Sequence, residues 1–351
     1  MSPRHPDQKI RRILIAGTSW LGDTVLSIPA MYGIRSIFPD ARIAVLARQG
    51  VGDIYRAVPA VDIVLPHHKK SGIAAAGAVI VTGRMLRKYA FDLAILFTRS
   101  CGTALACALA GIPRRLGFAS GMRNLLLTEA VPRDSRLLSL HQVHYYKKLP
   151  ESLGLPCFPA LPMLILPDDA KTRARELLSS ELKGFSGPLV AINPGSTYGS
   201  AKQWLPGRFR ELAQRLTAGR GCAVLVVGDR ASRKLATDIT AGLGRAAIDL
   251  TGRTGIVQLA ALLACCDVLV TNDTGPMHVA CAVGTPVVAV FGSTDPAGTA
   301  PLGPDAVMVK SDIDCSPCLR RSCPHGHHKC MYAVEVDAVE TAVVQKLKKK
   351  V

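Results

Sequence analysis

A glycine-containing turn with one carboxylate follows the first apolar run of the chain. Ile13–Ala16 predicts a strand, and the segment Gly17–Asp23 then opens a helix. Asp23 would lie near the helix N-terminus, where the helix dipole stabilises a carboxylate, so a purely structural role is one interpretation. The other is a general base at the mouth of a cleft. The turn is neither a Walker A loop nor a GxGxxG fingerprint, because Gly22 is followed by Asp23 and Thr24.

Two later strand ends carry residue types that suit an anionic ligand. The run Asn193–Thr197 and the nearby Lys202 combine a glycine, two hydroxyls and a lysine, which is typical of a phosphate site, although an ordinary loop can have the same composition. In Asn272–His278, Pro276 suits the first turn of a helix, and Thr274 or Gly275 suits its cap. The unpaired amides at that N-terminus predict a diphosphate site, and a capped helix with an incidental histidine is the alternative.

The densest cysteine set lies near the end of the chain and comprises Cys315, Cys318, Cys323 and Cys330. Four thiols in so short a segment could enclose a structural zinc ion. An iron–sulfur cluster fits less well, because the spacing matches neither common ferredoxin pattern. A disulfide-capable loop and unligated thiols are the remaining interpretations. The other seven of the 11 cysteines are scattered through apolar segments, as expected for reduced core residues.

Length and charge restrict the class of protein. A chain of 351 residues predicts two domains. The net charge of +17, most of it in residues 1–185, favours an anionic partner such as nucleic acid, phosphates or an acidic membrane surface. An aromatic content of 5% and the lack of a recognisable recognition module argue against nucleic acid. No apolar run approaches the length of about 20 residues that a membrane span needs, so we expect a cytoplasmic protein.

The elements that must position these residues alternate between short apolar runs and helical stretches. This alternation predicts an α/β fold with two doubly wound halves, each with a parallel sheet. We expect a first Rossmann-like domain over residues 1–165, a linker region over 166–187, and a second Rossmann-like domain over 188–335 that includes the Cys-rich loop 315–330. A C-terminal helix and a basic tail occupy 336–351. The helix that carries His141–Lys148 is expected to present a solvated or interdomain face.

Four motifs in this order resemble those of the bacterial lipopolysaccharide heptosyltransferases. They are Ser19–Asp23, Gly111–Phe118, Asn193–Ser196 with Lys202 and Trp204, and Asn272–His278. The resemblance extends from about Ile13 to about Val344. The Ser-Trp-Leu-Gly-Asp form of the first motif favours the enzymes that transfer the second heptose.

The resemblance implies a GT-B type fold, in which two Rossmann-like domains face a central cleft. The first domain would bind the acceptor and the second the nucleotide-sugar. It implies an inverting transfer of heptose from ADP-heptose to the inner-core heptose of a lipopolysaccharide precursor. The acceptor is then a phosphorylated, Kdo-bearing lipid A glycolipid, reached through transient contact with the cytoplasmic face of the inner membrane. Heptosyltransferase I, another GT-B nucleotide-sugar enzyme and a basic nucleic-acid-binding protein are the alternatives.

The resemblance also implies roles for individual residues. Asp23 is expected to act as the general base and Lys202 to stabilise the leaving ADP, with no cofactor required for the chemistry. The residues expected to bind the donor are Asn193, Gly195, Ser196, Thr197, Gly228, Asp229, Asp273, Thr274, Gly275, Met277 and His278. Those expected to bind the acceptor are Ser19, Trp20, Gly22 and Arg115. A wider basic patch expected to receive the acceptor's anionic groups comprises Arg84, Arg87, Lys88, Arg114, Arg115 and Arg123.

Overall fold

The computed structural model describes residues 10–67, 72, 74–154 and 161–348, and the chain divides into two compact units between Ile165 and Leu166. Each unit contains a six-stranded sheet in which all the strand pairs are parallel. The predicted α/β class with two doubly wound halves is therefore confirmed. Within the described ranges, no helix combines the length and the apolarity needed to cross a bilayer.

The first sheet has the strand order β3-β2-β1-β4-β5-β6. After its exposed first residue, Arg12, its central strand is apolar and buried, as expected for a parallel sheet covered on both faces. The order reverses direction between β1 and β4, and ligands bind at such switch points beyond the carboxyl ends of the strands. The strands are β1 (Arg12–Ala16), β2 (Arg42–Ala47), β3 (Ile63–Pro66), β4 (Leu93–Leu96), β5 (Arg114–Phe118) and β6 (Glu129–Val131).

The helix predicted after Gly22 is divided in two at Ser27. Pro29 has no N–H to donate to the carbonyl of Val25, so one continuous helix would lack a hydrogen bond at this point. The helices of this unit are α1 (Leu21–Leu26), α2 (Ile28–Ile37), α3 (Val51–Arg56), α4 (Ala74–Arg87), α5 (Cys101–Leu109), α6 (Ser135–Ser139) and α7 (Gln142–Glu151). A 3-10 helix, Gly121–Leu126, connects β5 to β6.

The second sheet has the strand order β12-β11-β10-β7-β8-β9, and its direction reverses between β7 and β10. The strands are β7 (Leu189–Asn193), β8 (Ala223–Val226), β9 (Ala247–Asp249), β10 (Val268–Asn272), β11 (Val287–Phe291) and β12 (Ala306–Lys310). The helices are α8 (Asp168–Glu181), α9 (Pro206–Arg220), α10 (Arg233–Thr240), α11 (Ile256–Ala264), α12 (Gly275–Ala282), α13 (Pro296–Thr299), α14 (Lys329–Tyr332) and α15 (Val336–Lys348). Shorter 3-10 turns cover Ser200–Lys202, Arg230–Ser232 and Gly244–Ala246.

The packing of three predicted segments is defined by the structure. The 166–187 region contains α8, which packs against α11 and so belongs to the second unit. The C-terminal helix α15 packs against α9 and strands β10, β11 and β12 of the same unit. The helix α7 does not present a solvated face with its tyrosines, because Tyr145 and Tyr146 are both buried. The end of the basic tail, 349–351, lies outside the described residues.

Candidate active site

Asp23 lies in the first turn of α1, directly beyond the carboxyl end of the central strand β1. The turn before it is held by Thr18, whose amide donates to Tyr55 Oη at 3.0 Å and whose hydroxyl lies 2.8 Å from that of Thr24. Ser19 and Gly22 are half-buried beside this turn, while the Trp20 side chain is 54% exposed. An exposed indole next to a carboxylate at a sheet switch point is suited to stacking against a sugar ring.

Tyr146 on α7 shares a hydrogen bond with Asp23. The tyrosine is buried, and its ring packs edge-on against Phe97, with centroids 5.5 Å apart. Burial, and then the neighbouring Asp23 carboxylate, raises the pKa of Tyr146 well above its usual value. The phenol therefore keeps its proton and donates a hydrogen bond to the carboxylate. Sequence reasoning missed this residue, because the pairing joins α1 to a helix far along the chain.

Arg99 and Arg133 lie beyond the carboxyl ends of β4 and β6, on the same edge of the sheet as Asp23. The Arg133 guanidinium carbon lies 5.7 Å from the centroid of the Tyr145 ring. Burial raises the pKa of Tyr145, and the charges of Arg133 and then Arg99 act against that rise, so both cations are near it. Arg133 Nε is buried without a hydrogen-bond partner among the described residues. This edge therefore offers cationic and polar groups to an anionic ligand.

Arg115, expected to bind the acceptor, is not at that edge. It is the second residue of β5, and its guanidinium donates to the carbonyls of Ile112 and Leu126 at 2.5 and 2.7 Å. Arg114 begins the same strand and pairs with Glu129 at 2.8 Å. The structure thus gives these arginines a structural role near the amino ends of the strands, opposite the edge that carries Asp23.

The other residues of the predicted basic patch also lie apart from Asp23 or are buried. Arg84, Arg87 and Lys88 lie in or just after the last turn of α4, toward the amino edge of the sheet. Arg123 is buried, and its guanidinium donates to the carbonyls of Phe118 and Thr98. The six residues do not form one cationic surface at the carboxyl edge.

In the second unit, two asparagines connect the ends of β7 and β10 at the switch point. Asn193 Nδ2 donates to Thr271 Oγ1 at 3.0 Å and to Thr274 Oγ1 at 2.9 Å. Asn272 donates to the carbonyl of Pro194 at 2.9 Å and accepts from the Trp204 amide at 2.8 Å. These bonds fix the loop after β7 against the N-terminus of α12, where backbone amides favour an anion.

Lys202 and Asp273 form an ion pair at this edge, with Nζ 2.6 Å from Oδ2. The Asp273 carboxylate is buried and also accepts from Thr294 Oγ1 at 2.7 Å and from Thr299 Oγ1 at 3.3 Å. The Lys202 ammonium additionally lies 4.8 Å from the centroid of the Tyr198 ring. Lys202 is therefore held from two sides, and Asp273 is occupied as its counter-ion.

The remaining donor-site residues differ in accessibility. Thr197 is exposed, and the buried Ser196 Oγ has no hydrogen-bond partner among the described residues. Gly275 begins α12 and is half-buried, and His278 is buried on the same helix. The Met277 side chain is fully buried in the interior of the unit, so it does not reach the surface that a donor would contact.

Gly228 and Asp229 follow β8 and meet the loop after β7 at Ser232. A Cβ on Gly195 would lie 2.2 Å from Ser232 Oγ, so glycine is required there by this close approach. Asp229 Oδ1 accepts from the amide of Ser232 at 3.0 Å and from its hydroxyl at 2.8 Å. One oxygen of the expected ribose contact is thus engaged in capping the following 3-10 turn.

The four clustered cysteines lie in the loop between β12 and α14 and at the start of α14. All four thiols are free, and no group of three or more Cys, His, Asp or Glu side chains in the described part of the chain is arranged to hold a metal ion. The residues as placed therefore do not fit the expected structural zinc. Cys323 Sγ instead accepts from the His328 amide at 3.4 Å, and that bond lowers the pKa of the thiol.

This cysteine loop packs on the loop that carries Lys202. The Ala201 amide donates to the carbonyl of Arg321 at 3.0 Å, and Tyr198 Oη donates to the carbonyl of Leu319 at 3.1 Å. Gly199 has φ +155°, and a Cβ there would lie 2.2 Å from the Arg321 carbonyl oxygen. The cysteine loop thus packs against the loop that carries Lys202 and helps to fix its position.

Comparison with known proteins agrees with this arrangement. The family described as glycosyltransferase family 9 (heptosyltransferase) matches residues 79–329. The chain is 28% identical to lipopolysaccharide heptosyltransferase 2 of Escherichia coli (strain K12), over 96% of this chain and 97% of that protein. It is 28% identical to lipopolysaccharide heptosyltransferase 1 of Pseudomonas aeruginosa over 90% and 88% of the two chains.

Among solved structures, E. coli ADP-heptose lps heptosyltransferase II superposes with a TM-score of 0.84 at 26% identity, covering 97% of this chain and 99% of that one. The match confirms the predicted GT-B type fold and the resemblance stated from the motifs. The chain belongs to glycosyltransferase family 9, the heptosyltransferases, and is a glycosyltransferase.

Proposed function

We propose that this protein is the enzyme that transfers heptose from ADP-heptose to the inner-core heptose of a lipopolysaccharide precursor, with inversion at the anomeric carbon. The named relatives support the choice of donor and acceptor, since they include lipopolysaccharide heptosyltransferase 2 of two species and the solved E. coli ADP-heptose lps heptosyltransferase II. The observation that carries the proposal is the Asp23–Tyr146 pair beside the exposed Trp20 at the switch point of the first sheet.

Asp23 is the general base in this proposal. It takes the proton of the acceptor hydroxyl as that oxygen forms a bond to the anomeric carbon of the heptose. The bond between that carbon and the diphosphate oxygen breaks, and the electron pair leaves with ADP. Tyr146 positions the carboxylate by donating to it, and Trp20 offers a face to the sugar. General base catalysis contributes about 10²- to 10⁴-fold to such a step.

Lys202 stabilises the charge that gathers on the leaving ADP. The ion pair with Asp273 fixes the ammonium next to the N-terminus of α12, so both act on the same diphosphate without reorganisation. Asp273 is then a positioning residue for Lys202. Ser196 and Thr197 add hydroxyl donors. Because a lysine and oriented amides supply the positive potential, we propose that no divalent cation is required.

The acceptor's phosphates and Kdo carboxylates are assigned to Arg99 and Arg133 in place of Arg115. Arg133 has a buried Nε without a partner among the described residues, and both arginines share the edge of the sheet that carries Asp23. A glycolipid with several anionic groups also accounts for the net charge of +17 without nucleic acid. We propose that the enzyme works at the cytoplasmic face of the inner membrane, where such an acceptor is presented.

The test uses purified protein, ADP-heptose and two acceptors, lipid A–Kdo2–heptose and the heptose-free lipid A–Kdo2. ADP release and acceptor mass are measured for the wild type, Asp23→Asn and a control, Asp53→Asn, whose carboxylate forms an exposed pair with Arg56 on α3. We expect one heptose to be added only to the heptose-bearing acceptor. Asp23→Asn should lose about 10²-fold or more in rate while still binding ADP, and Asp53→Asn should retain full activity.

Addition to the heptose-free acceptor alone would identify the transfer of the first heptose and contradict the proposal. Full activity of Asp23→Asn would remove the base assignment. Absence of ADP release with either acceptor would show that the two sheets serve a different substrate.

A further inference from the structure

Three consecutive elements on one side of the first sheet expose large apolar side chains. Helices α4 and α5 and the 3-10 helix Gly121–Leu126 each contribute two such residues. Their exposed fractions range from 39% to 83%, and the two on the 3-10 helix are the most exposed. The residues are Ile80, Val81, Leu105, Leu109, Met122 and Leu125, and we call this set the α4–α5 face. Contiguous exposed apolar surface on a folded protein marks an interaction site.

The six side chains are brought together by close packing of the elements. Gly83 of α4 lies against α5, since a Cβ there would be 3.2 Å from both the Ala106 carbonyl oxygen and Leu109 Cβ. Arg87 of α4 also connects the two helices, because its guanidinium donates to the Leu109 carbonyl of α5 at 2.6 Å. The 3-10 helix packs against α5 in turn. Residues on the solvent side of the three elements therefore form one surface.

Arg123 fixes the outward direction of the two most exposed residues. It is 1% exposed, and its guanidinium donates to the carbonyls of Phe118 and Thr98 inside the unit. Gly117 leaves room for it, because a Cβ at that position would be 2.8 Å from Arg123 Nη2. With Arg123 turned inward, Met122 and Leu125 must face solvent. Their exposure thus follows from the position of the backbone, which the buried Arg123 side chain holds in place.

The charge on this side is cationic. Residues 74–88, 101–109 and 121–126 contain no aspartate or glutamate, whereas Arg84, Arg87 and Lys88 follow Val81 along α4. Beyond Lys88, a cavity of about 220 Å³ is also lined by Arg12 and Arg42. The Asp92 carboxylate, which follows α4, accepts from the amides of Arg11 and Arg12. Apolar side chains bordered by cations complement an anionic lipid surface.

We propose that the α4–α5 face docks on a bilayer that contains anionic phospholipid, with its apolar residues in the headgroup boundary and Arg84 and Lys88 on lipid phosphates. The proposal rests on the proposed function, because a glycolipid acceptor must be reached from a membrane. A layer of helices is about 10 Å thick, so this orientation holds the sheet edge with Asp23 about that far above the headgroups. The sugars of an inner core, and not its acyl chains, would reach that height.

The experiment is co-sedimentation of the full chain with vesicles of phosphatidylglycerol and phosphatidylcholine, and with vesicles of phosphatidylcholine alone. We expect binding to the anionic vesicles that is reversed by salt, and little to the neutral ones. Met122→Ser with Leu125→Ser, and separately Arg84→Gln with Lys88→Gln, should each weaken binding by about tenfold. Leu138→Ser is the matched control, since Leu138 is 54% exposed on α6, away from the face, and should bind as the wild type does.

Heptose transfer is measured on the same variants with a deacylated, soluble acceptor and with the acceptor embedded in vesicles. The face variants should keep the rate on the soluble acceptor and lose it on the embedded one. Equal loss on both acceptors, or wild-type binding by both face variants, would overturn the docking proposal. So would a dimer in sedimentation equilibrium that Met122→Ser with Leu125→Ser dissociates, because a second copy would then be the occupant. Heptose transfer without vesicle binding would contradict only the docking proposal. Vesicle binding without heptose transfer would contradict only the proposed function.

Discussion

The carboxylate of Asp23 depends on a donor from a distant helix for its position and its charge. Tyr146 keeps its proton because burial and the carboxylate raise its pKa, so the hydrogen bond runs from the phenol to Asp23. A hydrogen bond to the charged form of a carboxyl lowers the pKa of that carboxyl. The phenol therefore holds the carboxylate in place, and removing this donor is expected to disfavour the charged form of Asp23.

Tyr146→Phe removes this donor and leaves the ring in place. We expect kcat to fall about tenfold and the acid limb of the kcat/KM profile to move to higher pH by about one unit, because a hydrogen bond to a charged group contributes about 1.5–3 kcal/mol. The acid limb moves to higher pH because only the ionised carboxylate acts as a base. A higher pKa means that the carboxylate is protonated, and activity is lost, at a higher pH. Tyr145→Phe is the control and should leave the acid limb in place. An unchanged limb in Tyr146→Phe would contradict the role of this residue.

The Lys202–Asp273 ion pair is buried. We therefore expect it to contribute more to the free energy of unfolding than the exposed ion pairs of this chain do. Lys202→Met leaves the Asp273 carboxylate buried with only hydroxyl donors, and removing one member of a buried pair costs about 3–5 kcal/mol. We expect a clear loss of unfolding free energy in urea, together with weaker ADP binding by calorimetry. Lys171→Met breaks an exposed pair with Asp168 and should change neither. Equal effects of the two substitutions would show that the buried pair has no special role.

Residue types and order along the chain were enough to select Asn193, Lys202, Asp273 and Thr274, which the structure places at one edge. They follow neighbouring strands of a parallel sheet, so sequence position alone implies proximity. Tyr146 and Arg133 could not be selected in that way, since their position depends on how helix α7 and the end of β6 pack. Arg115 was expected among the acceptor contacts, but it is the second residue of β5 and so lies toward the amino edge of the sheet.

The loop 199–202 and the cysteine loop act as one element at the donor site. Gly199 is the point of closest approach, and its positive φ and the nearby Arg321 carbonyl exclude a side chain. Gly199→Ala should separate the two loops at a cost of about 1–3 kcal/mol. We expect KM for ADP-heptose to rise while KM for the acceptor stays unchanged. Gly207→Ala is the control, because nothing lies within 4 Å of a Cβ at that position. A rise of both KM values would point to general misfolding instead.

The same element provides the test for a metal. The cysteine thiols are free and are not arranged as ligands in the structure, and hydrogen bonds already connect this loop to the donor loop. We expect dialysis against a chelator to leave both the transfer rate and the melting temperature unchanged. Loss of activity that zinc restores, together with one bound zinc per chain by elemental analysis, would show that the thiols rearrange around an ion.

Strands such as β7 and β10 were predictable because each is a short, mostly apolar run, as is typical of parallel strands buried on both faces. β7 and β10 match the prediction over Leu189–Asn193 and Val268–Asn272. Helix ends were less certain. The break at Ser27 depends on a missing N–H two residues later, and the separation of α8 from a linker depends on its contact with α11, which periodicity does not encode.

At the scale of the whole molecule, we expect the charge of +17 to act mainly on the proposed glycolipid acceptor. The Debye length is about 10 Å at 0.1 M salt, so attraction between exposed arginines and a glycolipid surface is screened, whereas the buried ion pair at the donor site is screened much less. We expect KM for the embedded acceptor to rise several-fold when the salt concentration is raised from about 0.05 to about 0.3 M. KM for ADP-heptose should change little. Equal salt dependence for both substrates would contradict this division.

The strand order of the first sheet also has a consequence for how the protein is made. β1 pairs with β2 on one side and with β4 on the other. Ile13 therefore cannot pair with its partner Leu93 until the chain has been synthesised as far as β4. During synthesis, the growing chain therefore has this strand, which is buried in the finished unit, unpaired along one side while β3 and α4 are made. Asp23 receives its donor later still, when α7 emerges. Catalytic competence of the first unit is thus among the last properties that a growing chain acquires, and a product truncated before Tyr146 would contain most of a sheet and no positioned base.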